Sequence, residues 1–432
     1  MAIDQGPMSG FRDMLPEQML PREDVLTTIK DIYELYGFTP LKTPALERFE
    51  TMNGKYGEEG NKLMYQFHDN GDRHVALRYD HTVPLARVVA QHGSKLPSPY
   101  KRYVVGDVWR GESPQAGRYR EFGQFDADIV GTHSYLADTE VIAMMSDSME
   151  AIGVSATIRV NDRRLLDGLA VACGIEGQSG FMQLVTSIDK VEKIGKDGVL
   201  DEVHESFGDL ARSTVDAYLS VEGDDHQKLG RITELLQASS AHEGVDNLRK
   251  ILGALSFAGY GAEIVFDQTI ARGLNYYTST VYETSLNDLP GIGSVCSGGR
   301  YDNLIESMGG PDTPAVGTSI GVDRLMEGLR QLGLLKPMRT RTRAYITNLD
   351  AAMDNQRFAL AQQLRKQGVP TEISYDARKL GKQIASIEKL GVGEVVIYGQ
   401  KEADQGIVLV KDLSNGEQRE VALESLGEEF KD

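Results

Sequence analysis

Residues 100–131, YKRYVVGDVWRGESPQAGRYREFGQFDADIVG, read as two strands joined by a polar loop. Alternate residues of a strand share a face. Arg102, Val104, Gly106, Val108 and Arg110 therefore fall on one side of the first strand, and Arg120, Phe122, Gln124, Asp126 and Asp128 on one side of the second. A strand that only filled a core would carry aliphatic residues where Gln124, Asp126 and Asp128 stand. The loop 111–117 has an arginine at each root, Arg110 and Arg118. A guanidinium fork matches the oxygens of a phosphate. Spacing alone leaves two readings open: a β-hairpin with a solvated charged face, or one wall of a site for an anionic, phosphate-bearing ligand.

A chain of 432 residues has room for two or three domains. Its net charge of −18 argues against a generally basic, non-specific nucleic-acid binder and leaves room for a local basic face. Cys173 and Cys296 are far apart and lack metal-ligand spacing, so neither a disulfide framework nor a zinc site is expected, which suits a reducing compartment. The opening MAIDQGPMSGFRDMLPEQ has no apolar signal core, and no stretch reaches the length of a membrane span. The expectation is a soluble, cytoplasmic protein with no membrane association.

Helical spacing over 21–36 puts Val25, Ile29, Ile32, Tyr33 and Tyr36 on one side, and Gly37 ends it. The segment FTPLKTPALERFE, with Pro40 and Pro44, fits an edge or interface strand. HVALRYDHTVPLARVVA reads as strand, turn and helix, with Thr82 as a candidate N-cap. From about 162 to 255 the pattern is mostly helical and motif-free, an insertion within the larger domain whose charge runs, such as 222–225, read as solvated surface. Strands resume at 262–267, 277–284 and 294–298. After Leu335, Pro337 with Arg339, Arg341 and Arg343 marks a linker, about 331–341. Residues 342–432 then alternate strand and helix and close with a hairpin near 414–416, as in a small α/β domain. The larger domain spans 1–330.

Four further segments carry polar groups suited to a ligand. LRYDHT places Asp80, His81 and Thr82 at a strand end, and ARGLNYYTSTVYE offers Arg272 with Tyr276 and Tyr277. SVCSGGRYDNL has a glycine pair that permits close backbone approach, and AVGTSIGVDRLM runs from a strand into a helix bearing Asp323 and Arg324. Taken singly, each has a plainer reading: tyrosines as packing, GG as a turn, the arginine in a surface ion pair.

Their order is what narrows the choice. The segment 100–131 resembles motif 2 of the class II aminoacyl-tRNA synthetases, and GRYREFxQxDxDIxG is most similar to the histidyl-tRNA synthetase family. Helix 21–36 with the strand after it resembles motif 1, RGLNYY and SGGRYD resemble the two histidine-specific motifs, and GTSIGVDRL resembles motif 3. The resemblance spans nearly the whole chain. It implies an α+β catalytic domain on an antiparallel sheet with a helical insertion, and an anticodon-binding α/β domain. It further implies a ligase that joins L-histidine to ATP as histidyl-adenylate and then to tRNA(His), with Mg²⁺ accompanying ATP, in a homodimer.

Carried over residue by residue, the resemblance gives Asp80, Thr82 and Gln124 to the substrate ammonium, with His81 beside them in the histidine pocket. Asp128, Tyr277 and Tyr276 go to the imidazole. Arg110 bridges the substrate carboxylate and the ATP α-phosphate, and Arg272 acts on that phosphate as a fixed cation. Glu112 and Arg118 bind ATP, and Arg324 its γ-phosphate. The chain departs from the family wording at His81, Asn275 and Ser279, where leucine, aspartate and glycine are usual. The same fold also serves a histidine-sensing regulatory subunit of ATP phosphoribosyltransferase; that paralogue lacks the C-terminal domain and erodes the motif 2 and motif 3 arginines, which are present here. RNA contact is expected near Arg378, Lys379 and Lys382.

Overall fold

The computed structural model describes residues 5–115, 117–261, 263–271 and 276–430, the side chains of Glu58 and Glu59 excepted. The chain enters through helix Pro16–Leu35 and the short strands β1 (Thr39–Pro40) and β2 (Leu46–Arg48). Then come β3 (Gln66–His68), β4 (His74–Leu77) and helix Thr82–His92, followed by the long pair β5 (Tyr100–Trp109) and β6 (Glu121–Val130). Helix Tyr135–Ala151 and β7 (Ala156–Asp162) precede a block of helices running from Arg163 to Phe257. Strands β8 (Ile264–Phe266), β9 (Thr280–Leu286), β10 (Cys296–Arg300) and β11 (Ala315–Gly321) follow, then helix Val322–Gln331.

Eight of these strands form one sheet in the order β1-β5-β6-β11-β10-β9-β7-β8. Its inner pairings are antiparallel, and only the outermost, β1 with β5 and β7 with β8, are parallel. β2, β4 and β3 make a small separate sheet. In the hairpin of β5 and β6 the two faces given by alternation come together, with Arg102 opposite Asp128, Val104 opposite Asp126 and Gly106 opposite Gln124. One face of β6 is apolar: Phe125, Ala127 and Ile129 are buried, and Tyr33 packs edge-on against Phe125 at 4.7 Å. That packing fixes the other face, with Gln124, Asp126 and Asp128, toward the site.

The chain divides into two compact units, Met1–Asp13 with Val25–Leu334, and Met14–Asp24 with Leu335–Asp432. The second contains a sheet of β12 (Ala344–Ile346), β13 (Thr371–Ile373), β14 (Glu394–Ile397), β15 (Ile407–Asp412) and β16 (Gln418–Ala422), in the order β13-β12-β14-β15-β16. The pairs of β12 with β13 and β14 are parallel and the remainder antiparallel, as the strand–helix alternation implies. Ile346, Leu360, Val396 and Val410 sit at its apolar core.

Three local expectations need correction. The first helix begins at Pro16 rather than 21, because Pro16 suits a first turn and Pro21 removes only one early hydrogen bond. Thr82 is not the cap of its helix: the Asp80 carboxylate accepts from the Val83 N–H at 3.0 Å instead. Tyr276 and Tyr277 lie in the segment ahead of β9, not within a strand.

Candidate active site

A cavity of about 320 Å³ opens on the polar face of the large sheet. Asp80, Thr82, Arg110, Glu112, Arg118, Gln124, Asp128, Tyr276, Tyr277 and Arg324 all line it. Four separate stretches of sequence thus converge on one space. Arg272 and Asn275 lie outside the described residues.

The cavity has two chemically different ends. Along β6, the Arg110 guanidinium stacks 5.2 Å from the Phe122 ring centre and 4.4 Å from that of Tyr79, and donates to the Tyr79 carbonyl. Arg118 pairs with Glu112 in the preceding loop, and Arg324 donates to the Ser294 carbonyl at 2.7 Å. These arginines occupy the loop end. Gln124, Asp126 and Asp128 succeed one another away from it, with Asp80 nearby on its strand end.

The acid end is built closely. Asp80 Oδ1 accepts from the Tyr56 hydroxyl at 2.9 Å and Oδ2 from Tyr276 at 3.2 Å. Asp128 lies 2.6 Å from an Arg102 guanidinium nitrogen and accepts from the Tyr301 hydroxyl. Room for that carboxylate comes from Gly317 across the strand pair, where a β-carbon would stand 2.0 Å from Asp128 Oδ1. At Gly298, next along, a β-carbon would meet the Gly317 carbonyl oxygen at 2.2 Å. Burial raises the pKa of Asp80 and of Asp128 despite the opposing effect of Arg110 on the first and Arg102 on the second. Asp126 is pushed up to about 7, again chiefly by burial.

His81 does not line the cavity, and it is not a solvated turn residue. Its side chain is buried, and Nε2–H donates to the Gly106 carbonyl at 3.1 Å. Burial, with Arg78 and Arg102 nearby, drives its pKa down to about 3, so the ring stays neutral. Arg300 of SGGRYD is also turned elsewhere, forming a buried ion pair with Asp138.

Several wall residues had no assigned part in the sequence reading. Asp126 and Tyr301 line the cavity, and Arg102 neutralises Asp128 from behind. The amino-terminal segment matters too. Arg120 N–H donates to the Gly10 carbonyl at 2.9 Å, and the Arg12 guanidinium lies 3.7 Å from the Tyr119 ring centre while pairing with Asp323. Asp323 in turn accepts from the Gly123 N–H at 2.7 Å. Alternation could have flagged Asp126, which shares its face with Gln124 and Asp128. Nothing local could have flagged Arg12, whose partner is 311 residues away.

Comparison with known proteins identifies the family. A family model described as histidyl-tRNA synthetase matches residues 10–325, and one described as an anticodon binding domain matches 343–432. The chain is 40% identical to a histidine–tRNA ligase of Rhodopirellula baltica, over 97% of this chain and 96% of the relative. It is 38% identical to that of Wolinella succinogenes, over 95% and 94%. The crystal structure of histidyl-tRNA synthetase from Nostoc sp. PCC 7120 superposes with a TM-score of 0.87 at 34% identity, covering 99% of each chain. A Bacillus halodurans structure described as an ATP phosphoribosyltransferase regulatory subunit/histidyl-tRNA synthetase, at 22% identity and TM-score 0.76, shares the fold. Matched by a family model over residues 10–325 and by relatives aligned over nearly their whole length, the chain belongs to the histidyl-tRNA synthetase family.

Proposed function

We infer that this cavity is where histidine–tRNA ligation takes place, with the roles divided between its two ends. In the first step a carboxylate oxygen of L-histidine attacks the α-phosphorus of ATP in line. The bond to the bridging oxygen breaks, and pyrophosphate leaves with its electron pair. In the second, the terminal ribose hydroxyl of tRNA(His) attacks the carbonyl carbon of histidyl-adenylate, and AMP leaves.

The observation that carries this reading is the polarity of the cavity: buried carboxylates at one end, arginines at the other. The substrate amino acid presents an ammonium and an imidazole to the first, and ATP presents phosphates to the second. Asp80, Thr82 and Gln124 hold the ammonium; Asp128 and Tyr277 address the imidazole, with Tyr276 alongside. Arg110, at the junction, bridges carboxylate and α-phosphate, and its stacking between Tyr79 and Phe122 holds it rigid for that task. Glu112 and Arg118 take ATP, Arg324 the γ-phosphate, and Arg272 the α-phosphate.

No protein nucleophile is required, because alignment and fixed positive charge stabilise the transition state. Cys296 lines the cavity, but burial pushes its thiol up to about 12, far from a reactive thiolate. Mg²⁺ enters with ATP, since that ion keeps waters and substrate phosphates among its ligands and needs only one or two carboxylates; Glu283 stands on the cavity wall. Histidine-dependent exchange of pyrophosphate into ATP, without tRNA, tests the assignment. Exchange with histidine alone supports it; histidine binding without exchange would favour the regulatory-subunit reading.

The second unit would meet tRNA through exposed Arg378, Lys379 and Lys382, beside Tyr375, which is 87% exposed and suited to stack on an unpaired base. Exposed Leu35, Leu46, Phe67 and Val105 supply apolar area for a homodimer formed through the motif 1 region. Among the described residues no helix is long and apolar enough to cross a membrane, and both cysteines are free and buried, which suits the cytoplasm.

A further inference from the structure

The acid wall has more hydrogen-bonding capacity than those roles use. Asp126 is 2% exposed and lines the cavity, yet its Oδ1 has no hydrogen-bond partner among the described residues. Ser319, directly across on β11, offers its hydroxyl to this carboxylate, and Gln124 Oε1, two residues away on β6, has no partner among the described residues. Asp128 Oδ2 likewise lacks a hydrogen bond among the described residues, but Arg102 stands 2.6 Å from it as a charge partner and the Tyr301 hydroxyl donates to the other oxygen. A buried acceptor without a donor is disfavoured unless a ligand supplies one.

Counting charge sharpens the point. Asp80, Asp126 and Asp128 face one space. Arg102 is paired with Asp128 while also acting on Asp126 at longer range, and the substrate ammonium would balance Asp80. Among the described residues none forms an ion pair with Asp126, which is left to a proton of its own or a cationic partner. The imidazole is the remaining group of the substrate that can provide either.

We propose that Asp126 is a specificity-determining residue that binds the imidazole ring of histidine, the carboxyl and the ring together holding one proton. This rests on the reading of the cavity as the histidine site. The proton lies in a single hydrogen bond, as carboxylate with imidazolium or carboxylic acid with neutral imidazole. Either form leaves the second ring nitrogen to Asp128 and Tyr277.

The surroundings place the titration where it matters. Burial raises the Asp126 pKa to about 7, reinforced by Asp128 on its own strand and by Asp80, and opposed by Arg102 and the Ser319 hydroxyl. Arg78 also acts on it from the strand-end segment and stays charged. Tyr33, Tyr277 and Cys296, also within its field, are raised by burial and remain neutral near pH 7.

The decisive measurement is calorimetric titration of histidine into the full chain near pH 7.5, in two buffers of different ionisation enthalpy. An Asp126 pKa of about 7 and a free imidazole of about 6.5 together carry roughly a third of a proton there, so binding should take up about 0.7 proton. In Asp126→Asn the carboxamide oxygen accepts from a neutral ring without a proton, and uptake should fall to near zero. The KM for histidine in the native protein should rise above about pH 8, and Asp126→Asn should lose that added rise. Histidine binding to the native protein without proton uptake would overturn the proposal, whether or not the variant folds. Uptake that persists in Asp126→Asn would also overturn it. Failure of histidine to bind at all would overturn the reading of the cavity together with this inference.

Discussion

Strands β6 and β14 are both interior to their sheets and differ in content. Each is paired on both sides, β6 by β5 and β11, β14 by β12 and β15. β14 fills its sheet with Val395, Val396 and Ile397, all buried. β6 buries Gln124, Asp126 and Asp128 on one face. Burying an aliphatic side chain contributes about 1.5–3 kcal/mol, whereas a buried polar group left unpaired costs about 1–3 kcal/mol. Folding alone would favour β14's choice at both places. The polar face of β6 fits the ligand role proposed for it, and aliphatic strands such as β14 carry stability that it forgoes.

That contrast can be broken in either direction. Removing Arg110, as Arg110→Ala, should lower kcat/KM for histidine-dependent pyrophosphate exchange about 10³-fold, roughly 4 kcal/mol, with a melting temperature close to that of the native chain. A large loss of stability without loss of exchange would place Arg110 in the scaffold instead. The reverse is expected of Ile346→Ala in the aliphatic core beside β14, where about 2–5 kcal/mol of stability should be lost in denaturant unfolding. The KM for histidine should not change.

Asp126→Asn should stabilise the free protein. Its folded pKa of about 7 lies above the ordinary value of 3.8, so the folded state binds more protons between those pH values. Stability then falls as pH rises through this window, and the full penalty stands above pH 7. The substitution should gain on the order of 4 kcal/mol near pH 8 and nothing below about pH 4, read from denaturant midpoints at the two pH values. Equal midpoints at pH 8 would mean that the carboxyl is not strained by burial. The smallest effect is expected at Tyr375→Ala, about 1 kcal/mol or fivefold in the KM for tRNA, with pyrophosphate exchange untouched.

What could be read from the chain depended on how local its cause was. The two faces of β5 and β6 followed from alternation over ten residues per strand, and the α/β order of the second unit from strand and helix patterns of ordinary length. The grouping of Asp80, Gln124, Tyr277 and Arg324 came from the resemblance, since no spacing links them. Details set by tertiary packing escaped. His81 looked like a turn residue because its neighbours are polar, and only the approach of β5 at Gly106 buries it. The clasp of Arg12 on Tyr119 and Asp323 joins segments with no sequence relation. Pro21 suggested a helix start through a rule that holds less firmly near an end than in an interior.

The bare backbone at Gly298 and Gly317 has a consequence for how this pocket can drift over generations. A wall made of side chains can grow or shrink with single replacements, so its selectivity can wander both ways. Here, where a β-carbon would meet Asp128 or the neighbouring main chain within 2.2 Å, every replacement adds atoms and none removes any. The acid end of the cavity can be blocked by one mutation, but at these two positions it cannot be widened to admit a larger amino acid.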